Sequence, residues 1–329
     1  MTTTESDSTR VGPPPPFDPE LAAALEAMPD LPTSLTADLI PALRQGTVLR
    51  DATDEELRRG GAFEVSERPV PGPHGDIPVL ILKPTAATGL VGAIYYVHGG
   101  GMIMGTNRGA DSTKAFDLAQ ELGLAVVSVD YRLAPEHPHP VPVEECYAGL
   151  VWTVEHAEEL GIDPERIVIA GASAGGGLAA ATTLLARDRG APALAAQLLF
   201  CPMLDDRNES PSSRQMVGLG VWDRTANDTG WTALLGDERG GPDVSPYAAP
   251  ARESDLSGLP PTYLDVGSAE TFRDEVVAYA SAIWAAGGNA ELHVWPGGFH
   301  GFELLAPESE LSRAASGPRI PWLRRVLGI

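Results

Sequence analysis

Along the 329-residue chain the rhythm of apolar and polar positions changes repeatedly, and each change predicts an element. Up to about Pro16 the chain is polar and proline-rich, a composition that buries too little apolar surface to fold and predicts a mobile start. From Asp18 to about Gly60 apolar residues recur at helical spacing between prolines, which predicts two or three short helices ahead of the main sheet. "AFEVSERPV" and "IPVLILKP" then alternate or run apolar around "PGPHGD", so a hairpin is expected and the sheet opens antiparallel. Further apolar runs at Gly92–Val97, Leu124–Val129, Ile167–Ala170, Ala196–Cys201, Thr262–Val266 and Ala290–Val294 predict strands. Helical periodicity over Thr113–Leu122, Val143–Leu160, Ala174–Asp188 and Phe272–Ala286 separates most of them. Strands alternating with helices imply an α/β fold, a mostly parallel sheet with helices on both faces.

One interval breaks the rhythm. Some sixty residues lie between the strand ending near Cys201 and the one opening at Thr262, far more than a crossover needs. A helical insertion is expected there, at about 203–258, over the carboxyl edge of the sheet. Paired with helices of residues 1–60, it would cap a catalytic domain spanning 61–329. No internal repeat is visible.

Composition narrows the class. Hydrophobic residues make up 43% and charged residues 21%, ordinary globular usage, while the net charge is −22. That sign argues against nucleic acid or an anionic membrane as the main partner. Neither a basic-then-apolar leader nor an apolar run of membrane-spanning length is visible, so a soluble, cytoplasmic protein is expected. Cys146 and Cys201 sit among apolar residues without metal-ligand spacing and read as buried thiols.

In open α/β sheets, sites form at the carboxyl ends of strands. "RIVIA" runs into "GASAGG", a G-x-S-x-G pattern of Gly171, Ala172, Ser173, Ala174 and Gly175 between a strand and an Ala/Gly-rich helix. Such a turn presents its serine at a helix N-terminus, where backbone amides favour negative charge. "YYVHGGG" ends another strand in three glycines, costly to order unless a backbone must be approached closely. Acyl transfer needs amide donors aimed at a developing oxyanion, so Gly100, Gly101 and Ala174 are the candidate donors, and side chains at the glycines would block that approach. Gly99 helps the turn and His98 braces the loop. His300, on the Gly-rich loop beyond the last strand, is the candidate base. His293 lies within a strand, His156 within a helix and His74 in the hairpin turn. His137 and His139 have an H-x-H spacing but no further ligands, and no metal site is assigned. The acid orienting the imidazole belongs after the preceding strand. Glu270 sits in that loop, Asp274 and Glu275 on the next helix, and Asp265 inside the strand; Glu270 is favoured, with Asp274 next.

The order of "HGGG" (His98–Gly101), "DYRLAPEHPHP" (Asp130–Pro140), "GASAGG" (Gly171–Gly176), "SPYAAP" (Ser245–Pro250), "ETFRDE" (Glu270–Glu275) and "HGF" (His300–Phe302) resembles the α/β-hydrolases of the hormone-sensitive-lipase branch, the bacterial family IV esterases, over nearly everything after residue 60. The resemblance implies an eight-stranded mostly parallel sheet, a helical cap, and hydrolysis of short- to medium-chain carboxylic esters without metal or organic cofactor. It also implies a small-molecule ester as partner, with homodimers through the last strand or its helices. Two positions depart from the family pattern. Glu270-Thr271 stands where many members carry aspartate and proline, similar to a glutamate-using subgroup, and Ala172 precedes the serine where Asp or Thr is usual. Met102, Met104, Trp222, Trp231 and Phe302 are candidate acyl-pocket residues. A lactone hydrolase or amidase with the same triad, or a ligand receptor that has lost catalysis, are the alternatives.

Overall fold

The computed structural model describes residues 11–45 and 50–329; residues 1–10 of the polar start lie outside the described residues. Its centre is one eight-stranded sheet: β1 Phe63–Val70, β2 Ile77–Pro84, β3 Val91–Val97, β4 Ala125–Val129, β5 Ile162–Ala172, β6 Ala196–Phe200, β7 Thr262–Gly267 and β8 Ala290–Trp295. The spatial order is β1-β2-β4-β3-β5-β6-β7-β8. β1 pairs antiparallel with β2, and β2 with β4; every later pair is parallel.

Burial follows position in the sheet. β4, β6 and β7 are buried at every residue because helices cover both faces, whereas β1 at one edge alternates and β8 at the other is half-buried. Side-chain alternation divides the core in two: Tyr95 and Val97 face one cluster, Ile94 and Tyr96 the other. The helix Ala174–Arg189 is buried through its first thirteen residues. Only its small, apolar composition lets it sit so deep against the sheet.

Register aligns the strand ends that matter. Val97 pairs with Gly171, Ala172 with Phe200, Phe200 with Asp265, and Gly267 with Trp295. The loops leaving β3, β5, β7 and β8 therefore open onto one rim. Two elements differ from the expected ones. The helix predicted over Val143–Leu160 breaks into Val141–Glu155 and Ala157–Leu160, because His156 leaves helical geometry and turns its ring nitrogen to the Trp152 carbonyl at 2.8 Å. β5 starts five residues before Ile167, since Ile162 already pairs with Val91 ahead of a register shift.

Above the rim lie the helices Pro211–Gln215 and Arg224–Leu235 of the long interval and Pro19–Glu26 of the N-terminal segment. The two segments touch: Ser34 Oγ donates to Asp223 at 2.6 Å, and Thr229 Oγ1 donates to the Leu35 carbonyl at 2.7 Å. Among the described residues no helix is long and apolar enough to cross a membrane.

Candidate active site

Ser173 sits between β5 and the helix Ala174–Arg189 with φ 57° and ψ −123°, a strained conformation for a residue with a side chain. Its surroundings over-determine it. Ser173 N–H donates to the Phe200 carbonyl at 2.8 Å, and its own carbonyl accepts from Met203 at 2.9 Å and Gly177 at 3.0 Å. The flanking glycines are forced by backbone: a Cβ on Gly171 would lie 2.2 Å from the Gly175 oxygen, and one on Gly175 would lie 2.1 Å from the Val97 oxygen. The fixed backbone presents the hydroxyl at one place on the rim.

That place is beside His300. His300 Nε2 lies 2.9 Å from Ser173 Oγ, and Nδ1 lies 3.1 Å from Glu270 Oε1. The pairing assigns the tautomer: Nδ1–H donates to the carboxylate, and Nε2 accepts from the serine. Glu270 Oε2 in turn accepts from Gly267 N–H at 3.1 Å, so the carboxylate is fixed at both oxygens. Burial disfavours a charged ring, but the neighbouring Cys201 and Glu270 outweigh it and hold the His300 pKa above the 6.5 of a free histidine. The rival acids are engaged elsewhere. Asp274 accepts from Ser212 N–H at 2.7 Å and pairs with Arg273, while Asp265 is buried against Arg319 at 2.5 Å.

Gly100, Gly101 and Ala174 bring three backbone N–H groups to the same rim, and none of them donates to a protein acceptor among the described residues. The glycines of this loop owe their identity to a different contact from the expected one. A Cβ on Gly100 would lie 2.2 Å from the Met104 oxygen, and one on Gly101 would lie 2.2 Å from the Trp222 ring, with φ of 108° and 63°. The protein's own packing, not the approach of a ligand alone, forbids side chains there. Sequence reasoning missed the brace of this loop. Asp111 Oδ2 accepts from Gly99 N–H at 2.7 Å and from Tyr96 OH at 3.0 Å. His98 stacks on Tyr131 at 4.2 Å and turns Nδ1 to the Gly99 carbonyl, as a brace would. Both residues act on the turn rather than on the serine.

A two-lobed apolar cleft opens onto Ser173, each lobe about 150–160 Å³. Met104 and Trp222 line both lobes. Met102, Trp231 and Phe302, expected beside them, do not: Met102 and Trp231 are wholly buried in the main core, and Phe302 packs with Leu21 and Phe299 under the N-terminal helix. Their chain positions are close to the cleft, but tertiary packing turns the side chains away. The walls come instead from Leu31, Val221, Leu304 and Leu305, with Cys201 at the lobe that holds Ser173. Lys114 also reaches this lobe, its ammonium spent on Glu303 at 2.9 Å. Among the described residues, a grouping of three possible metal donors occurs at Cys201, Glu270 and His300, not at His137 and His139.

A hydroxyl hydrogen-bonded to an oriented imidazole, unpaired amides beside it and an apolar pocket are what nucleophilic acyl transfer uses. The chain belongs to the α/β-hydrolase family, in its hormone-sensitive-lipase-like branch: a family model described as alpha/beta hydrolase fold matches residues 94–304. Among relatives, Carboxylesterase NlhH of Mycobacterium tuberculosis is 37% identical over 259 residues, 77% of this chain and 79% of that protein. Esterase LipI of the same organism is 35% identical over 317 residues, 95% of this chain and 96% of that protein. A solved Bacterial Heroin Esterase superposes with a TM-score of 0.85 at 40% identity, covering 94% of this chain and 98% of that one.

Proposed function

We propose that this protein is a serine carboxylesterase in which Ser173, His300 and Glu270 form the catalytic triad. It hydrolyses carboxylic esters, as the esterase relatives do. Ser173 Oγ attacks the ester carbonyl while His300 Nε2 takes its proton, and Glu270 holds the tautomer and stabilises the imidazolium. The amides of Gly100, Gly101 and Ala174 receive the oxyanion. His300 then protonates the departing alcohol, and water repeats the sequence on the acyl-enzyme. The observation that carries this reading is the unbroken chain Ser173–His300–Glu270, at 2.9 and 3.1 Å.

The lobe volumes and apolar walls favour short to medium acyl groups, with Trp222 and Met104 between the lobes. Membership of the glutamate-using subgroup belongs to this reading, supported by the 3.1 Å contact of Glu270 Oε1 with His300 Nδ1. The division into an N-terminal segment, a catalytic domain and a cap insertion belongs to the same reading, supported by the contacts of Ser34 and Thr229. So does a homodimer across β8, supported by exposed Val294 and Trp284 at that edge, and a cytoplasmic setting, supported by two cysteines kept as free thiols. A panel of p-nitrophenyl acetate through laurate beside matched anilides tests the function. Turnover of short esters is expected; turnover confined to anilides makes the protein an amidase, and no turnover of either makes it a binding protein.

A further inference from the structure

The triad as described uses no thiol, yet one stands beside it. Cys201 directly follows β6, and its backbone turns into the left-handed region with φ 37°. Its N–H donates to the Asp265 carbonyl at 2.8 Å, and the preceding Phe200 carbonyl accepts from Ser173 at 2.8 Å. The corner is thus tied on one side to the strand before the acid loop and on the other to the nucleophile. The side chain is directed into the lobe that holds Ser173 and His300. There Sγ, a Glu270 carboxylate oxygen and a ring nitrogen of His300 all lie within 4.8 Å of one another.

This donor set has a chemical identity. Thiolate, imidazole and carboxylate suit Zn²⁺, which binds them at about 2.3, 2.0–2.1 and 2.0–2.2 Å. Those bond lengths around a tetrahedral ion put neighbouring donors about 3.3–3.6 Å apart. His300 Nδ1 and Glu270 Oε1 are already at 3.1 Å, so the carboxylate side of the site needs almost no movement. Sγ lies within 4.8 Å of the carboxylate and of a ring nitrogen, so a movement of Cys201 of about an ångström brings its thiolate to coordination distance. Thiolate and carboxylate together also balance the charge of a divalent ion in a pocket largely shielded from water.

We propose that Cys201, Glu270 and His300 form an inhibitory site for Zn²⁺ or another thiophilic divalent cation, occupied in competition with catalysis. The thiol releases its proton to solvent and binds as thiolate. The cation takes Glu270 and Nδ1 of His300, replacing the hydrogen bond between them. The single proton of the neutral ring then moves to Nε2, where it faces Ser173. An Nε2–H cannot accept the serine proton, so the ion stops the reaction by fixing the wrong tautomer. The fourth coordination position opens toward the lobe and takes water. Binding stands apart from the esterase reading; only its inhibitory consequence rests on His300 being the base.

The test uses the chelator-stripped enzyme without substrate. Titration with Co²⁺ reads the thiolate-to-metal charge-transfer absorption in the near ultraviolet, and competition with a chromophoric chelator reads the Zn²⁺ affinity. One equivalent is expected, with the thiolate band present in the native enzyme and in Ser173→Ala, which separates binding from turnover. Cys201→Ser and Cys201→Ala lose the band, and their Zn²⁺ affinity falls at least about tenfold. With ester substrate, Zn²⁺ inhibits the native enzyme, EDTA reverses the inhibition, and the inhibition constant rises in parallel in the Cys201 variants. A titration of the native enzyme without the thiolate band overturns the proposal, as does Zn²⁺ affinity unchanged by either substitution. His137→Ala/His139→Ala is expected to keep the site, and loss of binding there would move it to that loop and overturn the assignment.

Discussion

The turn around Ser173 and the cap above it face the same cleft, but they are constrained in different ways. At the turn, backbone meets backbone. Gly171, Gly175 and Gly177 would each place a Cβ within 2.2 Å of a carbonyl oxygen, so the sequence has almost no freedom there. In the cap, side chains meet side chains. Trp222 and Trp231 are both buried, nine residues apart, and only Trp222 reaches the cleft. Under the proposed function the turn serves the chemistry and the cap the choice of ester, so changes in the two should fail differently: the first in kcat, the second in KM and selectivity.

The largest separation is expected at the nucleophile. Ser173→Ala removes the attacking atom but no packing, and kcat should fall by about 10⁵-fold or more with substrate binding kept. Full-length acyl-enzyme trapping by mass spectrometry, present in the native protein and absent in the variant, checks it. Next is Glu270→Gln, which leaves the shape but frees the imidazole to adopt the wrong tautomer; kcat should fall by about 10³–10⁴-fold. Asp274→Asn should cost far less, because that carboxylate serves Ser212 and Arg273 rather than His300. If the order of these two variants were reversed, the acid would be misassigned.

The same carboxylate sets a pH signature. A general base works only when neutral, so kcat/KM rises with pH through the His300 pKa and levels above it. Against the desolvation that lowers it, Cys201 and then Glu270 raise that pKa by favouring the imidazolium. The acid limb of the native profile should therefore lie above the range of a free histidine, and in Glu270→Gln it should move to lower pH. Profiles recorded with a chelator present keep bound cations out of the comparison.

The same contrast explains what could be read from the sequence. The limits at Thr113–Leu122 and Ala196–Phe200 fall within a residue of expectation, because the helix buries one face at helical spacing and the strand, buried on both faces, reads as an unbroken apolar run. The meeting of Ser173, Glu270 and His300 was legible because each lies within five residues of the carboxyl end of a strand, and topology brings those ends to one rim. Met102 and Phe302 were not legible as core residues. They also follow strand ends, but side-chain direction there is set by the positive φ of Met102 and by the N-terminal helix packed on Phe302. Asp111 was missed for a related reason. Its partner, the Gly99 amide, is twelve residues away across a loop, and no pattern in a single sequence ties a carboxylate to a backbone N–H.

In the cap, Trp222→Ala sharpens the comparison. The ring lines both lobes and packs on Gly101, so its removal merges the lobes and loosens the glycine loop. KM for acetate esters should rise by about tenfold while longer acyl groups gain relative to acetate. Trp231→Phe, in the core and with its Nε1 unpaired among the described residues, should leave the acyl preference where it was. A chain-length profile of the two variants side by side reads the difference, and an equal shift in both would remove the distinction drawn between them.

The smallest effect is expected where the two regions join. Thr271, next to Glu270, donates its hydroxyl to the carbonyl of Trp222 at 2.6 Å, and both residues are buried. Thr271→Val keeps the volume but leaves the Trp222 carbonyl without its donor, a cost of about 1–3 kcal/mol. If the bond only stabilises the fold, denaturant midpoints fall and kcat/KM for all esters stays constant. The structure favours a further consequence, because the bonded carbonyl belongs to the residue whose ring separates the lobes. Thr271→Val should then shift acyl preference in the same direction as Trp222→Ala but by only about twofold, with Thr271→Ser restoring it. A double variant no worse than Trp222→Ala alone would show that Thr271 acts through that ring, whereas additive losses would mean that the acid loop and the cap are tuned separately.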